Sequence, residues 1–178
     1  MRQIYEDAFE RVIGHEGGFT RDPKDRGNWT SGIIGQGKNN GTKFGVACMS
    51  YPNEDIQGMK LERAHEIYKK DYWDKMRCDD LPAGVDYAAF DQAINSGVSR
   101  SIKWLQAAVG TKVDGKIGPA TIAAAQKQAE AVTIDKMCNA RLAFLKQVKT
   151  WPRYGKGWTK RVEDVRSTAK RMAGREKT

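Results

Sequence analysis

Residues 17–46 hold eight glycines, at positions 17, 18, 27, 32, 35, 37, 41 and 45, and a single proline, Pro23. A stretch this rich in glycine cannot sustain a helix, because each glycine costs about 1 kcal/mol against alanine in a helix interior. Its turn chemistry predicts short extended pieces or a hairpin, around Gly32-Ile33-Ile34 and Phe44-Gly45-Val46. Outside it the apolar residues recur at helical spacing. The expected fold is therefore mainly α, a helical bundle with a small irregular or β element near residues 17–46.

The helices can be placed from their stripes and punctuation. Residues 3–15 carry Ile4, Ala8, Phe9, Val12 and Ile13 on one face, and Gly17-Gly18 ends the run. Residues 61–75 carry Leu61, Ala64, Ile67, Tyr68 and Tyr72. Pro82 opens a helix to Ser96, and Ser99 caps the next, which Gly110 closes. Gly118-Pro119 starts an alanine-rich helix over 119–131. Another spans 134–149 until Trp151-Pro152 breaks it, and a final basic helix runs from Trp158 to about Met172.

Charge is unevenly spread. The chain has 31 Lys+Arg against 22 Asp+Glu, a net +9. From Lys146 onward eleven basic residues face three acidic ones, so +8 of that excess lies in the last fifth of the sequence. Such a segment attracts polyanions, among them lipopolysaccharide, although a merely solvated face has the same composition. A modest apolar stripe of Val162, Val165, Ala169 and Met172 beneath the cations suggests a surface-active helix. No docking motif for nucleic acid accompanies the charge, so nucleic acid is not an expected partner. No apolar run approaches the roughly 18 residues that span a bilayer. The first seven residues carry acids where a signal peptide needs an apolar stretch, which predicts cytoplasmic synthesis. Three widely spaced cysteines and two histidines argue against a disulfide framework and against a metal site, and no cofactor is expected. A monomer is expected.

Candidate chemistry gathers near the glycine-rich segment. Glu16 ends the first helical run, where the helix dipole and partial burial would both disfavour its ionised form. A general acid needs that. Asp25 follows nine positions later, with Thr30 and Thr42 beyond it. Two carboxyl groups and a hydroxyl suit glycoside hydrolysis: one carboxyl protonates the leaving oxygen, and the other orients water or stabilises the oxocarbenium-like transition state. Asp22 and Asp25 suit turn formation equally well. Among the aromatic residues that can stack on sugar rings or fill a core, Trp73 is the candidate substrate contact. Asp91, Asn95 and Ser96 share one helix face, able to line a cleft or to bridge helices. Asn28-Trp29-Thr30 matches a glycosylation sequon that reads as accidental.

Taken together, His15-Glu16-Gly17-Gly18-Phe19, Asp22-Pro23-Lys24-Asp25-Arg26-Gly27 and Gly41-Thr42-Lys43-Phe44-Gly45-Val46 resemble the N-terminal signature of glycoside hydrolase family 108. Further similarity lies in Ala64–Asp74, in Phe90-Asp91-Gln92-Ala93-Ile94-Asn95-Ser96-Gly97, in Trp104-Leu105-Gln106 and in Val113–Thr121. The last of these, with its Asp-Gly-x-x-Gly-Pro-x-Thr pattern, looks like the family's C-terminal peptidoglycan-binding region. The resemblance implies an α+β lysozyme-like fold, with a catalytic region over residues 1–98 and a helical peptidoglycan-binding region over 99–178, packed as one compact unit.

The implied activity is an N-acetylmuramidase that cleaves the β-1,4 bond between N-acetylmuramic acid and N-acetylglucosamine in peptidoglycan. Glu16 matches the family's essential glutamate and Asp25 its second carboxylate. Thr42 matches the context of its threonine better than Thr30 does. Phage endolysins are the typical members, and they reach the wall through a holin-type pore and lyse the host. A bacterial secretion-associated muramidase and a non-catalytic wall-binding module are the alternatives.

Overall fold

Helical periodicity is realised in seven α-helices among the described residues, which are 2–13 and 18–175 of a computed structural model. They are α1 (Arg2–Val12), α2 (Leu61–Tyr68), α3 (Val85–Ser96), α4 (Val98–Val109), α5 (Pro119–Lys127), α6 (Glu130–Leu145) and α7 (Trp151–Met172). Between α1 and α2 lie two short antiparallel strands, β1 (Thr42–Lys43) and β2 (Val46–Ala47), paired Thr42 to Ala47 and Lys43 to Val46. The fold is mainly α with one small β element, as its composition requires. Among the described residues no helix is long and apolar enough to cross a membrane. Two compact units divide the chain, Arg2–Lys69 and Lys70 onward.

In the N-terminal unit α1 and α2 are joined by an aromatic contact. The His65 ring meets Tyr5 edge-on at 4.7 Å and Phe9 at 4.8 Å, while the Tyr5 hydroxyl donates to the His65 carbonyl. His65 is thus a packing residue. The β1–β2 connection is a two-residue turn, Phe44-Gly45, with φ of 51° and 74°. Positive φ at both central positions is the hairpin geometry that matches strand twist, and glycine is favoured there. The Tyr68 hydroxyl donates to the Phe44 carbonyl at 2.9 Å. A side chain at Gly45 would place its Cβ only 2.5 Å from that hydroxyl oxygen.

The C-terminal unit is built around α3. Every residue from Val85 to Ala93 is buried, so this helix has no solvent face over more than two turns. α4, α6 and α7 pack on it, α5 packs on α4, and α6 packs on α7. Gln106 of α4 organises the connection to α5. Its Nε2 donates to Asp114 Oδ1 at 2.9 Å, to the Lys116 carbonyl at 3.0 Å and to Thr121 Oγ1 at 3.3 Å. Its Oε1 accepts from the amides of Asp114 and Gly115, both at 3.0 Å. The Trp-Leu-Gln and Asp-Gly-x-x-Gly-Pro-x-Thr motifs are therefore one structural device, a loop wound around a buried amide.

Several expected boundaries move. Trp151-Pro152 does not separate two helices from a distant third; it begins α7. Proline is tolerated in a first turn because its missing N–H would have no intrahelical partner there. α7 then absorbs the segment expected to precede Trp158. The helix predicted over 61–75 ends as α2 at Tyr68 and passes into a π-helical turn, Lys69–Trp73. Val162, Val165 and Ala169 are buried in the core, so most of the stripe expected to serve a membrane-active helix is already occupied. The three cysteines are free thiols and buried, and burial pushes the Cys138 pKa up to about 11.

Candidate active site

Glu16 and His15 fall outside the described residues, so the expected general acid is carried by sequence alone. The remaining members of the expected trio lie in the glycine-rich segment, and local hydrogen bonds explain how it is held. Asp25 is the N-cap of a single 3-10 turn, Arg26–Asn28. Its Oδ1 accepts from the Gly27 amide at 2.8 Å and its backbone is extended. This satisfies an amide that the turn itself leaves unbonded. Asp25 Oδ2 takes no hydrogen bond among the described residues, and the side chain is exposed. One carboxylate oxygen orients the group while the other faces outward.

Asn28 closes the turn and is only 1% exposed. Its amide N–H donates to the Asp25 carbonyl at 3.1 Å, and its Nδ2 donates to the Asp22 carbonyl at 3.1 Å. Its Oδ1 accepts from the Thr42 hydroxyl at 2.7 Å. Thr42 lies at the start of β1, where its backbone also exchanges two 2.9 Å hydrogen bonds with Thr20. Asp25 and Thr42, seventeen positions apart, are thus tied to one buried amide. The Thr42 proton is committed to Asn28, which leaves the hydroxyl lone pairs available to accept from water.

Thr30 is placed differently. Its Oγ1 accepts from the Lys38 amide at 3.0 Å, inside an ordered excursion that spans Trp29 to Asn39. The threonine linked to Asp25 is Thr42. Asn28 was not among the expected site residues. Its signal was present as an asparagine three positions after Asp25, at the end of a tight turn, although the sequence drew notice only as a sequon. Its burial removes it as a glycosylation acceptor.

Beside this element lies a polar cavity of about 170 Å³, lined in part by Arg21, Asn39, Asn40, Glu54 and Asp55. Glu54 is held below the usual carboxylate range by its hydrogen bond from Arg63, so it stays charged at neutral pH.

Two expected substrate contacts are corrected by burial. Trp73 is 1% exposed, packs edge-on against Phe90 at 5.4 Å and donates its indole N–H to Asp79 Oδ1. Asp91 is wholly buried, with one oxygen paired to Arg141 at 2.5 Å and the other paired to Arg161. A carboxylate enclosed this way cannot meet a sugar directly; it bridges two guanidinium groups between α3, α6 and α7. Asn95 remains exposed, and its Nδ2 donates back to the Asp91 carbonyl at 2.9 Å.

A family model described as "Glycosyl hydrolase 108" matches residues 9–97, which cover the end of α1, the Asp25 turn, the β element and α3. The chain belongs to glycosyl hydrolase family 108. This makes it a glycoside hydrolase. A second model of this family-108 chain, described as "Predicted Peptidoglycan domain", matches residues 100–163 and so includes the Gln106 loop. The structure of SagA from Brucella abortus is similar over 99% of both chains, with 36% identity and a TM-score of 0.82. No curated protein matches the chain.

Proposed function

We propose that this glycoside hydrolase is an N-acetylmuramidase acting on the β-1,4 bond between N-acetylmuramic acid and N-acetylglucosamine of peptidoglycan. Glu16 is the general acid that protonates the glycosidic oxygen. Asp25 is the second carboxylate and presents Oδ2 to the reacting face. Thr42 accepts a hydrogen from a water lying between it and Asp25, which then takes the second proton or stabilises positive charge at the anomeric carbon. The observation that carries this reading is the linkage of Asp25 and Thr42 through Asn28, within the part of the chain that matches the hydrolase family. Peptidoglycan as the substrate rests on the second matched region.

Mass spectrometry of digested sacculi tests the bond assignment: the new reducing ends should be N-acetylmuramic acid. Glu16→Gln should remove this release while leaving the fold intact. Reducing ends on N-acetylglucosamine, or full activity in Glu16→Gln, would overturn the assignment.

The biological setting we propose is host lysis by an endolysin-type enzyme released through a holin-type pore, acting as a monomer. Likeness to a bacterial protein favours a second setting, a bacterial secretion-associated muramidase. Co-expression with a holin separates them, because only the first predicts rapid clearing of the culture. Attraction to lipopolysaccharide through α7 is proposed as purely electrostatic, by its outward cations. Binding to lipopolysaccharide that persists in 0.5 M salt would contradict it, since exposed charge pairs are screened within about 5 Å there.

A further inference from the structure

The first turns of α7 carry a cluster of rings that the proposed catalytic chemistry does not use. Tyr154 and Trp158 stack at 5.7 Å with an interplanar angle of 29°, and Trp151 lies 6.2 Å from Trp158. Tyr154 is 45% exposed, and both tryptophans remain half-buried, so none is fully committed to the core. Gly155 explains how the Trp151 indole lies down on the helix. A Cβ at that position would stand 2.6 Å from the ring, so only glycine admits it there. Next to the indole is an open groove of about 330 Å³, lined by Trp151, Pro152, Gly155, Lys156 and Thr159.

The polar groups beside these rings are cationic. The Arg153 guanidinium sits 5.2 Å from the centre of the Tyr154 ring, and Lys156 makes no ion pair among the described residues. Bilayer insertion is disfavoured by the same helix, whose Val162, Val165 and Ala169 are buried in the core. What remains outward is flat aromatic area with positive charge at its rim. Aromatic faces pack against the apolar C–H faces of pyranose rings, while the cations suit carboxylates.

We infer that, within the region matched by the peptidoglycan model, Trp151, Tyr154 and Trp158, with Lys156 and Arg153, are the residues that form the glycan-binding platform, outside the proposed catalytic centre. It takes a run of amino-sugar rings whose lactyl-linked peptide stems carry carboxylates. The platform rests on the reading of peptidoglycan as substrate. Its role is to hold the enzyme on the polymeric wall between cleavage events, so it acts on affinity for sacculi and leaves the chemical step alone.

The test uses the full chain. In a Glu16→Gln background, Tyr154→Ala with Lys156→Ala should weaken co-sedimentation with purified sacculi by about ten-fold, equivalent to about 1.4 kcal/mol. Tyr154→Phe keeps the ring and should bind within two-fold of its parent. In the active chain the double substitution should raise KM for sacculi, with kcat and the cleavage of a short soluble glycan fragment unchanged. Lys156→Glu alone, at an exposed position, gives the same reading if the double variant misfolds: its sacculus binding should also fall.

Unchanged sacculus affinity in these folded variants overturns the platform, as does a loss confined to vesicles containing lipopolysaccharide. Failure of the unsubstituted chain to release reducing ends from sacculi overturns the muramidase reading instead. Intact digestion with binding indifferent to these positions overturns the platform alone.

Discussion

The hydroxyl of Thr42 donates to Oδ1 of Asn28 across 2.7 Å, and Asn28 is itself bonded through its backbone to Asp25. One buried amide therefore fixes both the position of a threonine and the polarity of its hydroxyl. Thr42→Val should leave the Asn28 oxygen without its donor and lower stability by about 1–3 kcal/mol. Wall hydrolysis should fall further than that loss of stability explains, whereas Thr42→Ser should keep most of both. Denaturant midpoints and hydrolysis rates for the two variants check this.

Asp25 has two separable duties, capping and charge. Asn caps as well as Asp, so Asp25→Asn should melt close to the parent while losing at least about 100-fold in hydrolysis. Asp25→Ala should lose the same activity and also about 0.5–2 kcal/mol of stability. Equal melting temperatures for the two variants would remove the capping role.

The Asp91 triad makes a prediction of opposite kind, about folding alone. Asp91→Ala leaves Arg141 buried without its carboxylate and should cost about 3–5 kcal/mol. That is a large share of the 5–15 kcal/mol typical of a domain, so the variant should be marginal at 37 °C. Chemical denaturation measures it, and a variant as stable as the parent would show the triad to be dispensable.

Asp114 gives stability a pH dependence. Its carboxylate is held below the usual range by the Gln106 hydrogen bond first and the Lys116 amide second. A group whose folded pKa is depressed contributes stability above its ordinary pKa, near 3.9, and loses it as pH falls through the folded value. The stability gap between the parent and Asp114→Asn should be constant from about pH 5 to 7 and shrink below about pH 4. Thermal melts across pH 2.5–7 would show it.

The thiols should be silent in the native state. Cys48, Cys78 and Cys138 are each 0% exposed, and burial raises the Cys138 pKa to about 11. At pH 8 a disulfide-exchange reagent should titrate no thiol before denaturant is added and three after it. One fast-reacting thiol in the folded chain would contradict the packing.

Much of this fold was legible in the sequence because helices declare themselves by stripe and punctuation. Ile4, Ala8, Phe9, Val12 and Ile13 mark α1, and Gly110 and Pro119 bound the α4–α5 connection. The Phe44-Gly45 turn was also marked. What stayed hidden depends on partners distant along the chain. Asp91 on a polar helix face reads as a cleft residue until Arg141 and Arg161, fifty and seventy positions on, are brought against it. Asn28 sits visibly at the end of a tight turn, but its link to the site shows only once β1 returns Thr42 to it. Trp151-Pro152 misled because a proline is equally consistent with ending one helix and opening another; only the continuation through Gly155 and Gly157 separates the two.

The length of α7 has a practical corollary. With Val162, Val165 and Ala169 buried, its last three turns form a wall of the protein's interior, and trimming them would expose apolar surface and invite aggregation. Variants meant to gain or lose cationic reach are therefore best made by exchanging outward lysines and arginines on an intact helix, with any fusion partner attached beyond Arg175.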